Sequence, residues 1–129
     1  MPDASSIKVL IVDDQQSMRQ LIRGGLQQLG FRAFEEAPDG EAAMRSLVTN
    51  PVQLVISDYN MPKLDGLGLL RAIRVYPATA KIAYIMLTGR GDKELVQRAV
   101  QFGVNNFLVK PFTVATLREK IEAVFGPLA

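Results

Sequence analysis

The sequence predicts a doubly wound α/β domain: a five-stranded parallel sheet in the order 2-1-3-4-5, with five helices on both faces. Three observations predict it. Five short apolar runs alternate with five amphipathic segments at short connections, the pattern of repeated strand-helix-strand units. Each crossover between parallel strands has to be right-handed and long enough to hold a helix, which places helices on both faces. Several of the runs, Leu54-Val55-Ile56-Ser57 foremost, lack the apolar-polar alternation of a half-solvated strand, as strands covered on both faces do.

Each element has its own signals. Ile7 to Val12 is the first strand and ends in Asp13-Asp14. Ser17 is the expected cap of a first helix running to Leu29, in which Met18, Leu21, Ile22, Gly25, Leu26 and Leu29 follow helical spacing and Gly30 is the stop. Gly24-Gly25 inside it costs on the order of 1 kcal/mol per glycine relative to alanine. The pair reads as a tolerated weakness in preference to close packing at Gly25. Phe31 to Glu36 is a short second strand, polar enough for a sheet edge, and Asp39-Gly40 opens a second helix carrying Ala42, Ala43, Leu47 and Val48 until Asn50-Pro51 ends it. The third strand begins at Leu54 and ends abruptly in Asp58; a Pro- and Gly-punctuated loop follows, with Asp65-Gly66 a turn or helix start. Leu67, Leu69, Leu70 and Ile73 mark a third helix that stops before Pro77. Lys81 to Leu87 is the fourth strand, followed by Thr88-Gly89-Arg90-Gly91; Asp92 caps a fourth helix with Leu95, Val96, Ala99 and Val100, stopped by Gly103. Asn106 to Val109 is the fifth strand, Lys110-Pro111-Phe112 follows, and Thr113 caps a last helix with Leu117, Ile121 and Val124.

With 129 residues and 48 % hydrophobic content, a single domain over 1–129 is expected, its core at about 7–126. The absence of cysteine excludes disulfides and thiolate zinc sites, and the absence of histidine excludes an imidazole base, a triad, or a phosphohistidine made on this chain. The 15 basic and 13 acidic residues are scattered, so the net charge of +2 argues for a solvated mixed surface and against nucleic acid as partner. No run approaches the roughly 18 apolar residues of a membrane span. Met1 to Ser6 lacks the basic and apolar regions of a signal peptide, so a cytoplasmic location is expected.

Function concentrates where the strands end, because in open parallel sheets the crevice lies outside their carboxyl ends. That edge gathers Asp13 and Asp14 from the first strand, Asp58 from the third, Thr88 from the fourth and Lys110 from the fifth. Singly, the acid pair reads as a solvated turn, Thr88 as a loop hydroxyl and Lys110 as a surface lysine; their convergence favours chemistry. Clustered carboxylates repel one another unless a hard cation neutralises them, and Mg²⁺ takes one or two carboxylates, waters and a phosphate oxygen. Lys110 as a point charge and Thr88 as a donor complete a cradle for a phosphoryl group, which makes Asp58 the candidate nucleophile.

Val12-Asp13-Asp14, Leu29-Gly30-Phe31, Asp39-Gly40, Asp58 to Pro62 with Asp65-Gly66, Thr88, and Lys110-Pro111-Phe112-Thr113 running on through Ala115-Thr116-Leu117 resemble the receiver domain of two-component response regulators. The resemblance covers nearly all of the chain and is closest to the single-domain chemotaxis receivers. It implies a flavodoxin-like fold in which Asp58 accepts a phosphoryl group from the phosphohistidine of a sensor histidine kinase. By that resemblance Asp14 and Asp58 bind Mg²⁺ directly, Asp13 acts mainly through water, and Asn60 contributes its backbone carbonyl. Lys110 pairs with the bound phosphoryl while Thr88 moves to contact it, and Phe107, three residues before Lys110, changes position with Thr88 as a switch. Phe107 lacks a hydroxyl, so it can switch rotamer but cannot hydrogen-bond a partner. The family tunes phosphate lifetime through the positions held by Asn60 and Arg90. Arg90 stands where the chemotaxis relatives carry an acid, which implies an altered lifetime and an altered response to a phosphatase. The resemblance further implies a signalling monomer, not an enzyme in the ordinary sense, that contacts its output protein through helix four, strand five and helix five. A flagellar-motor switch component is the expected target, and a phosphorelay intermediate or phosphate sink is the alternative role.

A haloacid dehalogenase-type phosphohydrolase also uses an aspartate nucleophile after a strand, with Mg²⁺, a hydroxyl and a lysine. Such enzymes place an acid two residues after the nucleophile to protonate the leaving group, and here that position is Asn60. A phosphorylation-independent interaction module would have no use for the complete set of Asp13, Asp14, Asp58, Thr88 and Lys110.

Overall fold

The computed structural model describes residues 3–89 and 93–129. A short 3₁₀ turn, Ala4–Ser6, leads into β1 (Lys8–Val12), followed by α1 (Gln16–Gln28), β2 (Ala33–Ala37), α2 (Gly40–Thr49), β3 (Leu54–Asp58), α3 (Gly66–Val75), β4 (Ala83–Thr88), α4 (Lys93–Gln101), β5 (Asn106–Val109) and α5 (Val114–Phe125). All strand pairs are parallel and the order is β2-β1-β3-β4-β5, as the sequence predicts.

The continuous apolar runs are explained by two cores, one on each face of the sheet. Val9, Ile11, Leu54, Ile56, Ile85 and Leu87 point toward α1 and α5, where they meet Ile22, Leu26, Leu117 and Ile121. The alternate residues Leu10, Val12, Val55, Tyr84 and Met86 pack on the other face with Ala43 and Leu47 of α2, Leu69, Leu70 and Ile73 of α3, and Leu95 and Ala99 of α4. A strand wet on one face would lose half of this burial, which is worth about 1.5 to 3 kcal/mol per large aliphatic side chain before entropy. β3 is buried along its whole length, so its terminal carboxylate is delivered at a fixed height on the sheet edge.

Several boundaries differ from the sequence reading for local reasons. Helix α1 begins at Gln16, with Gln15 at the N-cap and no side-chain cap bond. Ser17 is therefore not the cap: the Arg19 N–H is already taken by Gln15 O at 3.1 Å, so the helix has begun before Ser17. β2 starts at Ala33, because the Phe31 N–H returns to Leu26 O at 3.1 Å and closes the end of α1. β4 starts at Ala83, because the Ile82 N–H is used in a turn to Thr79 O at 3.1 Å. Thr88 is the last residue of β4 and not the first of its loop. Asp39, Asp65 and Thr113 do cap α2, α3 and α5, each accepting from the N–H three residues on. The expected cap at Asp92, like Arg90, lies outside the described residues.

Gly25 reverses its sequence reading. A methyl group there would stand 3.1 Å from Leu117 Cδ2 on α5, whereas one at Gly24 would meet nothing within 4 Å. Close packing of α1 on α5 is what Gly25 provides.

Candidate functional site

The residues singled out in the sequence are carried to one edge of the sheet by the ends of their strands. Asp58 closes β3 at 6 % exposure, Asp13 follows β1 at 1 %, and Asp14 beside it is exposed. These three acids each offer a carboxylate oxygen, all within 4.8 Å of one another. Lys110, just past β5, places Nζ 2.8 Å from Asp58 Oδ1. Its backbone N–H donates to Thr88 O at 2.7 Å, so the β4-β5 ladder itself brings the ammonium to the aspartate. Thr88 is 4 % exposed at the end of β4.

Asp13 is the most constrained of the set. Its N–H donates to Ala37 O of β2 at 3.1 Å, and its Oδ1 accepts from the Gln15 N–H. Its Oδ2 is buried and has no hydrogen-bond partner among the described residues. Burial pushes the Asp13 carboxyl above the usual carboxylate range; the Gln15 N–H pulls it back, and the charge on Asp58 pushes it further up. An unpartnered oxygen beside two more carboxylates, facing no nitrogen or sulfur ligand, is a donor set that suits a hard cation such as Mg²⁺.

The loop after β3 is held in place around the acceptor. At Gly66 an added methyl would stand 2.5 Å from Asp58 O and 2.8 Å from Tyr59 Cα, so only glycine allows α3 to start this close. The Gly66 N–H donates to Tyr59 O at 2.8 Å, and the buried Tyr84 hydroxyl donates to Gly66 O at 2.7 Å. Complete burial pushes the Tyr84 phenol well above its ordinary value, which keeps it a donor. Ser57 Oγ donates to Asp58 O at 3.0 Å. Asn60 is exposed in this loop. Phe107 is half-buried on β5 opposite Met86, on the face that Thr88, two residues after Met86, also shares.

Sequence reasoning missed Arg19, Ser57 and Tyr84. Arg19 Nη1 donates to Asp13 O at 2.6 Å, a contact with no signal in a helix of otherwise ordinary spacing. Tyr84 could be suspected as the one hydroxyl-bearing aromatic within an aliphatic strand, since a buried phenol needs a partner.

Comparison with known proteins agrees with this geometry. The family model described as response regulator receiver domain matches residues 9–122. A "Probable chemotaxis protein CheY" of Rhizobium etli is 54 % identical over 99 % of each chain. The solved structure of chemotaxis protein CheY4 of Vibrio cholerae, at 34 % identity, covers 92 % of this chain and 98 % of its own, with a TM-score of 0.85. The receiver domain of a Pseudomonas aeruginosa sensor histidine kinase, solved with a magnesium ion coordinated in its active-site cleft, is 28 % identical; the match covers 93 % of this chain and 98 % of that one, with a TM-score of 0.83. A family model spanning most of the chain, a relative identical at more than half of all positions, and a matching strand order lead to one conclusion: the chain belongs to the response regulator receiver domain family.

Proposed function

We propose that this receiver takes a phosphoryl group on Asp58 from the phosphohistidine of a sensor histidine kinase and signals by contact with an output protein. The observation that carries the reading is Asp58 itself, flanked by two further carboxylates within 4.8 Å and by the Lys110 ammonium at 2.8 Å. In the proposed step an Asp58 carboxylate oxygen attacks phosphorus as the bond to the donor imidazole nitrogen breaks, giving an acyl phosphate and a free imidazole. Lys110 moves from the carboxylate to the incoming phosphoryl oxygens, and the Thr88 hydroxyl donates to another of them. Asp13, Asp14 and Asp58, with the Asn60 carbonyl, are the residues that would hold Mg²⁺, with Asp13 acting through water. When bound, the ion neutralises charge on the carboxylates and on the transferring group. Attack of water on phosphorus restores Asp58, so the domain promotes its own phosphorylation and dephosphorylation while remaining a signalling domain. Asn60 and Arg90 set the lifetime of the acyl phosphate, and Thr88 with Phe107 carries its presence to the output face.

The likeness to the Rhizobium etli relative, a probable chemotaxis protein, supports a chemotactic role; in this reading the receiver acts as a cytoplasmic monomer with a flagellar-motor switch component as target. β5 is an edge strand, and Val100 and Val109 are 60 % and 48 % exposed, which gives the face formed by α4, β5 and α5 apolar surface for such a partner. Among the described residues no helix is long and apolar enough to cross a membrane.

Incubation with Mg²⁺ and acetyl phosphate, read by intact mass, tests the chemistry. A labile phosphoryl adduct that disappears in Asp58→Asn and in EDTA is the expected result. Multiple turnover of assorted phosphate esters would instead favour a hydrolase, and no adduct under any condition would sink the reading.

A further inference from the structure

We propose that Arg19 is a positioning residue for the metal site, holding the Asp13-Asp14 turn so that both carboxylates gather beside Asp58. The inference rests on the Mg²⁺ reading above and extends it to a side chain that touches no ligand.

Asp13 O lies in a gap between two regular hydrogen-bond systems. The sheet ladder ends with the Asp13 N–H on Ala37 O, and the first backbone acceptor of α1 is Gln15 O, which takes the Arg19 N–H at 3.1 Å. Arg19 fills the gap from the side-chain direction, with Nη1 donating to Asp13 O at 2.6 Å. The same guanidinium is fixed at its other end by Nε on Glu36 Oε1 at 3.0 Å, so β2 anchors the fork. The Arg19 side chain is only 16 % exposed, and its planar guanidinium serves the two acceptors from separate nitrogens, Nε and Nη1, where an ammonium offers a single nitrogen. Because α1 has no side-chain cap, the turn that carries the acids is held, beyond the Asp13 N–H on Ala37 O, by Gln15 N–H to Asp13 Oδ1 and by Arg19 to Asp13 O. Removing the last frees the Asp13-Asp14 peptide to rotate, and Asp14, exposed and without this support, is the carboxylate that would be displaced most.

Electrostatics alone predicts the opposite sign. A guanidinium next to a cation site repels the cation, so deleting its charge should tighten Mg²⁺ binding if charge were its only effect. Arg23 supplies a control on the same acid: its Nη1 donates to Glu36 Oε2 at 3.0 Å from the next turn of α1, its guanidinium lies 5.0 Å over the Phe34 ring, and no bond joins it to Asp13 among the described contacts.

The test is titration with MgCl₂ of the wild type, Arg19→Met, Arg19→Lys and Arg23→Met, followed by the amide NMR shifts of residues 58–60, with metal-free Tm measured alongside. Arg19→Met is expected to weaken Mg²⁺ binding about tenfold, the lower end of what loss of an outer-sphere partner costs. Arg19→Lys should recover part of that loss, and Arg23→Met should bind as the wild type does. Unchanged or tighter binding in Arg19→Met, or an equal loss in Arg23→Met, overturns the inference whatever happens to Tm. A wild type that takes up no Mg²⁺ overturns the metal reading itself, a result distinct from wild-type binding that Arg19→Met leaves untouched.

Discussion

Asp13 shows how much local stability the candidate site gives up. The residue is 1 % exposed, one carboxylate oxygen has no partner among the described residues, and Asp14 and Asp58 add like charge within 4.8 Å. Its pKa is raised, first by burial. A raised acid contributes stability that is fully present below its unfolded pKa and is lost as pH rises through its folded pKa. Metal-free protein therefore carries the penalty at neutral pH and sheds it on acidification toward the ordinary aspartate value of 3.8. Asp13→Asn removes the ionisable group, so in EDTA at pH 7 it is expected to raise Tm by about 3 to 5 °C, roughly 1 kcal/mol for a domain of this size. The advantage should shrink as pH falls through the folded pKa, and Mg²⁺ should stabilise the variant less than it stabilises the wild type. Thermal unfolding across a pH series checks this; a gain independent of pH would assign it to packing and not to charge. At this scale the sequence was informative wherever a side chain ends a strand, since Asp58, Thr88 and Lys110 needed only the strand assignments. Arg19 was illegible because its partner is a backbone carbonyl, which every residue has.

At the scale of elements, Gly24 and Gly25 separate what helix propensity decides from what packing decides. Alanine at either position gains up to about 1 kcal/mol of propensity. Gly24→Ala meets nothing within 4 Å and should keep that gain, raising the urea midpoint at constant slope. Gly25→Ala pushes a methyl against Leu117, which is fully buried and has little room to yield. Overpacking of this kind costs about 1 to 3 kcal/mol, so Gly25→Ala should fail to stabilise and fall below its neighbour. Equal gains in both would show that α5 gives way. Helical spacing puts Gly25 and not Gly24 on the apolar face, but only the position of α5 shows that this face is crowded there. The strands and helices themselves were legible because their periodicity is local, as in Asn106–Val109, whose bounds agree with the sequence reading. Starts that depend on a distant or irregular acceptor were not: α1 takes its entry from Asp13, and β4 waits for the turn at Thr79.

The whole molecule divides its labour between the two edges of the sheet. The proposed phosphoacceptor site occupies the carboxyl edge, while Arg74 ties the amino edge together. Its guanidinium donates to Ala80 O and Ile82 O ahead of β4, and to Gly103 O and Asn105 Oδ1 ahead of β5, at 2.6 to 3.1 Å. Asn105 Oδ1 also accepts the Tyr84 N–H at 2.7 Å, which extends the clamp into β4. Burial pulls the Arg74 pKa below its ordinary value, as expected of a cation served by carbonyls instead of a carboxylate. Arg74→Met leaves these oxygens without their donor; because the group is only half-buried, water can replace part of the loss, and the expected cost is roughly 2 kcal/mol. The urea midpoint should fall at unchanged slope, while Mg²⁺ affinity and the yield of phosphoryl adduct on Asp58 stay at wild-type values, because among the described residues no hydrogen bond of the Arg74 side chain reaches Asp13, Asp14, Asp58 or Lys110. A loss of Mg²⁺ affinity in a variant that is still fully folded would show that the amino edge sets the geometry of the acids through β4 and β5, and that the two edges act as one unit.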